Sequence, residues 1–167
     1  MGLIIGKKID MLMKGYPTVS DKYNVAGGTL GGDSAVKFGE LVKFSDTKGY
    51  YEAITETVTL ADIAGFVVAT NVKLVDSWGI DASNEPLTLP GEAFNLLVNG
   101  FIAIELDSGA TEAKILPNTS VAVILASGKL TTSDKIAGST IVALPNVVFT
   151  GTYEKHGTTI LAEILVK

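Results

Sequence analysis

Residues 93–106 read AFNLLVNGFIAIEL. Two apolar runs, 93–98 and 101–106, flank the dipeptide Asn99-Gly100. Both of those residues tolerate positive φ, which the two-residue turns between antiparallel strands demand, so the stretch predicts a β-hairpin. The same alternation of short apolar runs and turn residues continues on either side. Downstream, 121–126 is followed by a Ser127-Gly128 turn and 129–131, and 147–153 with 159–166 make a last pair around His156-Gly157. Upstream, AVKFGELVKF at 35–44 sets Val36 with Phe38 and Val42 with Phe44, and Gly39 marks a bulge or kink between them.

Residues 50–59 are rich in aromatic and β-branched side chains, and 65–75 read as two apolar runs broken at Thr70-Asn71. Pro86, Pro90, Pro117 and Pro145 are expected between strands, because proline cannot donate to a sheet ladder. No segment holds a helical period beyond about three turns. About eight to ten strands with closely spaced turns predict an all-β fold, a compact antiparallel β-barrel or sandwich with at most one or two short helices.

Residues 1–35 differ from this pattern. GYPTVSDKYNVAGGTLGGDS carries two Gly-Gly pairs and a Tyr-Pro step without a sustained apolar period. Glycine-rich backbone loses much entropy on ordering, so residues 1–35 read as an extended N-terminal arm and 36–167 as a single β-domain. Residues 3–13 fit either a short amphipathic helix or a strand.

Composition narrows the chemistry. The chain has 167 residues, 47% hydrophobic and 19% charged, which fits one domain with an ordinary core. No apolar run approaches the roughly 18 residues of a membrane span. The lysines of MGLIIGKKIDMLMKG follow its apolar patch instead of preceding it, the wrong order for a secretory signal, so a cytoplasmic product is expected. Cysteine is absent, which removes disulfides and thiolate chemistry. All 13 basic residues are lysine; without arginine's bidentate fork and with net charge −5, a nucleic-acid partner is not expected. Residues 1–50 hold seven lysines against five acids, while 51–167 hold six against thirteen. That asymmetry fits either ordinary scatter over solvated faces or a basic arm lying on an acidic partner.

Catalytic and metal constellations are sparse. His156, in the turn EKHGTT, has no second histidine to share a zinc ion and reads as a solvated side chain. Asp107 and Glu112 bracket a turn, and Asp76 and Asp81 flank Trp78; these acids read as loop decoration, with glycosidase-type pairing as the alternative. GLIIG and GGTLGG lack the strand-turn-helix context of a nucleotide fingerprint. Trp78 and the arm residues Tyr16, Pro17 and Tyr23 read either as packing groups or as anchors for a partner surface.

The order of these elements resembles the phage head cement and decoration proteins. The resemblance rests on a glycine-rich N-terminal segment leading into FGELVKF (38–44), IAGFVVATNVK (63–73), PGEAFNLLVNGFIAIEL (90–106) and the ending LPNVVFTGTYEKHGTTILAEILVK (144–167). It implies a β-barrel-like or tulip-like domain on the outside of the virion, made in the host cytoplasm, with the major capsid protein as partner. It also implies no enzyme activity, no cofactor, no metal and no catalytic residue, and no nucleic-acid or membrane partner. The departure is the arm, longer and richer in glycine than a minimal decoration protein needs.

On that resemblance, the arm orders on binding, and Lys7, Lys8, Lys14, Tyr16, Pro17, Lys22 and Tyr23, with Trp78, are the candidate capsid contacts. Icosahedral lattices offer closed rings of sites, so a homotrimer at local threefold positions is expected, with monomer and dimer as alternatives. The competing reading is a carbohydrate-binding or tail-associated β-module that stacks sugars on Trp78 with Tyr50 or Tyr51. A small carboxylate enzyme is a third.

Overall fold

The computed structural model describes residues 12–18, 23–69, 79–80 and 86–167. Among these residues twelve strands follow in chain order: β1 (Tyr23–Leu30), β2 (Val36–Lys37), β3 (Leu41–Phe44), β4 (Tyr50–Ala53), β5 (Ile63–Val68), β6 (Gly79–Ile80), β7 (Pro86–Thr88), β8 (Ala93–Leu106), β9 (Ser120–Ile124), β10 (Lys129–Thr132), β11 (Ile141–His156) and β12 (Thr159–Val166). The only helical turns among the described residues are two short 3-10 turns, Glu112–Lys114 and Ser133–Lys135. The all-β expectation holds.

Nine strands form one mixed sheet in the order β1-β4-β3-β5-β8-β10-β9-β11-β12, with further ladders joining β1 to β8 and β8 to β12. The hydrogen bonding therefore closes two five-strand rings that share β8. The smaller ring runs β1-β4-β3-β5-β8 and the larger runs β8-β10-β9-β11-β12. Each ring is closed by one short parallel seam: Thr29 and Leu30 beside Tyr50 and Tyr51, and Leu130 beside Leu106. The remaining ladders are antiparallel. A separate three-stranded sheet, β2-β7-β6, lies beside them.

Residues 93–106 do not form a hairpin. They are one 14-residue strand, and Asn99-Gly100 sits within it. The pairing with β1 explains the dipeptide. Asn24 faces Asn99 and Val25 faces Leu97, so Val98 is an extra residue, a β-bulge, and Gly100 takes φ 126° beside it. The bulge changes which side chains point where. Before it, Phe94 and Leu96 enter the smaller core with Leu30, Val36, Phe38, Val42 and Val67. After it, Ile102, Ile104 and Leu106 enter the larger core with Val121, Val123, Phe149 and Ile164. Because strand side chains alternate with period two, one inserted residue is what lets the even-numbered positions serve both cores. Ile102, Ile104 and Ile164 are fully buried, each worth about 1.5–3 kcal/mol relative to exposure.

The other turn readings fare differently. Gly157-Thr158 makes a two-residue hairpin loop, with Gly157 at φ 63° and His156 paired to Thr159. The turn at Ser127-Gly128 forms, closed by Gly128 N–H donating to the Ile124 carbonyl at 2.8 Å. Val36, Phe38 and Val42 are buried and Gly39, at φ 80°, turns the chain between them, but Phe44 at the strand end is exposed. Pro145 lies within β11 instead of between strands. It is tolerated there because the ladder to β9 is interrupted between Ala143 and Val148, where Asn146 adopts φ 60°.

Candidate functional site

Residues 12–18 lie against the body, across both rings. Gly15 N–H donates to the Ala103 carbonyl at 2.8 Å, and the Gly15 carbonyl accepts from Ala69 N–H at 2.7 Å. Ala103 N–H returns a bond to the Tyr16 carbonyl at 3.2 Å, and Pro17 bridges Ile102. The approach is so close that a Cβ on Gly15 would lie 2.3 Å from Cβ of Phe38. Lys14 Nζ is held between Glu105 Oε2 at 3.1 Å and Glu40 Oε1 at 3.5 Å. These three charges line a cleft of about 550 Å³, together with Asp107, Lys129 and Thr159.

Four of the candidate contact residues are thus placed. Lys14 is committed to internal ion pairs, Tyr16 packs on the smaller core, and Pro17 pairs with β8. Tyr23 is the exposed one, at the start of β1. Lys7, Lys8, Lys22 and Trp78 lie outside the described residues, as do Asp76 and Asp81.

Part of the stretch read as an arm, Tyr23–Leu30, is strand β1, paired along its length to β8. Its residues 23–27 are exposed on both faces of the strand. Around them the structure adds exposed groups that the sequence reading did not single out: Val25, Val98 on the bulge, and an amide pair in which Asn24 Nδ2 donates to Asn99 Oδ1 at 3.0 Å. Only the pairing register brings these residues together, since 24 and 99 are far apart in the chain.

Among the described residues, none of the groups whose pKa is shifted is tuned for acid–base work. The Lys43 ammonium is held above its ordinary pKa, chiefly by its hydrogen bond to Glu56 and also by the charges of Glu56 and Glu52. The Lys155 ammonium is raised by its bond to Glu112. The Asp62 carboxyl is lowered by donors from Thr59, backbone then side chain, and that of Asp134 by the hydroxyls of Thr132 and Thr111. Each of these shifts deepens the charge the group already carries at neutral pH, the opposite of what a proton shuttle needs.

His156 is exposed on the β11–β12 hairpin, its Nε2 3.3 Å from Glu154 Oε2. Asp107 accepts from Gly109 N–H and caps its own turn, while Glu112 pairs with Lys155. Among the described residues no three histidine or carboxylate groups gather as a metal site. Of the two tyrosines proposed as sugar platforms, Tyr51 packs between Phe44 (ring centroids 5.9 Å apart) and Phe94 (5.7 Å, edge to face), leaving Tyr50 as the exposed ring.

Comparison with known proteins gives this architecture a family. Residues 6–165, which take in both rings, match the family described as "Structural cement protein (E217 gp24/Pam3 gp6)". No curated protein matches the chain. Among solved structures, a chain from the capsid of Myoviridae Phage XM1 superposes with TM-score 0.60 over 97% of this chain and 95% of that one, at 17% identity, a likeness of fold. The match across both rings is what assigns the molecule: the chain belongs to the structural cement proteins of phages.

Proposed function

We propose that this chain is a non-catalytic cement that binds the outer face of an assembled phage head and bridges neighbouring major capsid subunits. The observation that carries the reading is the family match, which spans the whole two-ring body instead of one motif. The site geometry supports it: exposed apolar residues on closed rings, and perturbed charges fixed in their ordinary states. A net charge of −5 favours an outer surface over contact with packaged DNA.

The mechanism is linkage. A protein that binds only the finished lattice stabilises it by mass action, because each copy must leave before the lattice opens, and many identical sites multiply a modest affinity per copy. Copies arranged as trimers at local threefold positions match the symmetry such lattices offer. Tyr23, the arm lysines Lys7, Lys8 and Lys22, and Trp78 are the side chains offered as contacts.

The test is to mix purified protein with undecorated phage heads and image them. Stoichiometric density on the outside at lattice symmetry positions is the expected result. Heads that stay bare, or density confined to the interior, would refute the proposal.

A further inference from the structure

Among the described residues, the two rings leave one long stretch of sheet edge unpaired. β1 pairs with β8 from Tyr23 to Thr29, but on its other side β4 reaches only Thr29 and Leu30. Leu30 N–H donates to the Glu92 carbonyl, on the β8 side, while Gly31 N–H donates to Tyr51 on the β4 side. Alternation along an antiparallel strand then fixes the phase: Asn24, Ala26 and Gly28 turn their backbone groups toward β8, and Tyr23, Val25 and Gly27 turn theirs outward. No described segment meets those outward N–H and C=O groups.

Natural sheets guard such edges with charges, prolines or a covering element. Another stretch of this sheet paired on one side only among the described residues, Tyr153–His156 of β11, has that protection in Glu154, Lys155 and His156. β1 reads YNVAGGTL, with neither a charge nor a proline, and the space where a Gly27 side chain would stand holds no atom within 4 Å.

We propose that the open edge of β1 receives an extended, uncharged strand of the shell's major subunit, bound by strand addition. The inference rests on the outer-shell reading above and names the contact that reading leaves open. The edge supplies main-chain bonds at Tyr23, Val25 and Gly27; Tyr23 and Val25 favour apolar side chains on one face of the incoming strand, and Gly27 leaves its backbone unobstructed. A second copy is the poorer occupant. A six-residue edge spans about 20 Å, and Ala26, Gly27 and Gly28 bring almost no side-chain area to it. Self-pairing there falls well short of the roughly 800 Å² per partner of a stable interface. A segment anchored in a larger body needs no such area from the edge alone.

The test compares wild type with Val25→Pro and Val25→Thr on undecorated heads, with affinity measured and the decorated particle imaged. Val25→Pro removes one outward N–H and leaves the bonds to β8 at Asn24 and Ala26 in place; Val25→Thr keeps both the N–H and the β-branch. Wild type and Val25→Thr are expected to decorate equally. Val25→Pro is expected to melt close to wild type yet bind at least tenfold more weakly, and the map should show shell backbone about 4.8 Å from β1. If the proline variant does not fold, Gly27→Lys, which fits the open space and places a charge on the edge, is expected to show the same loss. Proline or lysine variants that bind within twofold of wild type would overturn the inference, as would a β1 edge facing solvent or a second copy in an otherwise decorated head. A wild-type protein that decorates nothing would overturn the outer-shell reading, and this inference with it.

Discussion

Gly15 is the residue at which the N-terminal segment is fastened to both rings. Its φ of 77° lies in the left-handed region, and its missing side chain admits the backbone of Phe38 and Gly39. Gly15→Ala therefore meets a conformational penalty and a collision with main chain that no rotamer relieves. It is expected to lower the unfolding free energy by about 2–4 kcal/mol in a urea titration, whereas Gly27→Ala, in open space, is expected to stay within about 0.5 kcal/mol. The contrast also shows why this part of the chain is hard to read in one dimension. Residues 12–18 have no apolar period, because what they bind is backbone, the carbonyl of Ala103 and the N–H of Ala69, and main-chain partners leave no pattern in the side chains. Glycine at 15 and at 27 looks alike in the sequence, though one is packed solid and the other faces solvent. Lys14 is similar: nothing local tells a surface lysine from one held between Glu40, in the turn before β3, and Glu105, on β8, both distant in the chain.

At the scale of elements, β8 carries the fold, and its bulge is the feature most open to test. Val98 is the extra residue, so deleting it restores one-to-one pairing with β1 and keeps Phe94 and Leu96 on one face and Ile102, Ile104 and Leu106 on the other. Deleting Phe101 instead leaves the bulge in place and turns Ile102, Ile104 and Leu106 out of the larger core. The Phe101 deletion is expected to abolish cooperative unfolding, read as a lost calorimetric transition, while Val98→Thr at this exposed position is expected to change stability by no more than about 0.5 kcal/mol. The strand content, the Ser127-Gly128 turn and the terminal hairpin were legible because each depends on residues adjacent in sequence. Asn99-Gly100 was misleading because positive φ serves a turn and a bulge alike. What decides between them is non-local: β1 and β12 both lie along this strand, and only a continuous β8 can pair with the two. Pro145 was misplaced for the same reason, since the break in the β11 ladder that accommodates it depends on β9.

For the molecule as a whole, the two rings are not independent units. Leu41, Phe66 and Val68 come from strands of the smaller ring yet pack in the core of the larger one, and β8 contributes to both. The two are expected to unfold together. Far-UV circular dichroism, dominated by all the strands, and tyrosine fluorescence, weighted toward the smaller ring by Tyr50 and Tyr51, should give coincident urea midpoints. Separated midpoints would show the rings to be separable. A shared strand also has a mechanical meaning. Tension applied to one ring passes through covalent bonds of β8 into the other, and the ladders flanking it are loaded along their length, so many hydrogen bonds resist at once instead of peeling one by one. A fastener built on a common spine transmits strain between its two ends with little give, and that stiffness comes from connectivity, whatever the strength of any single contact.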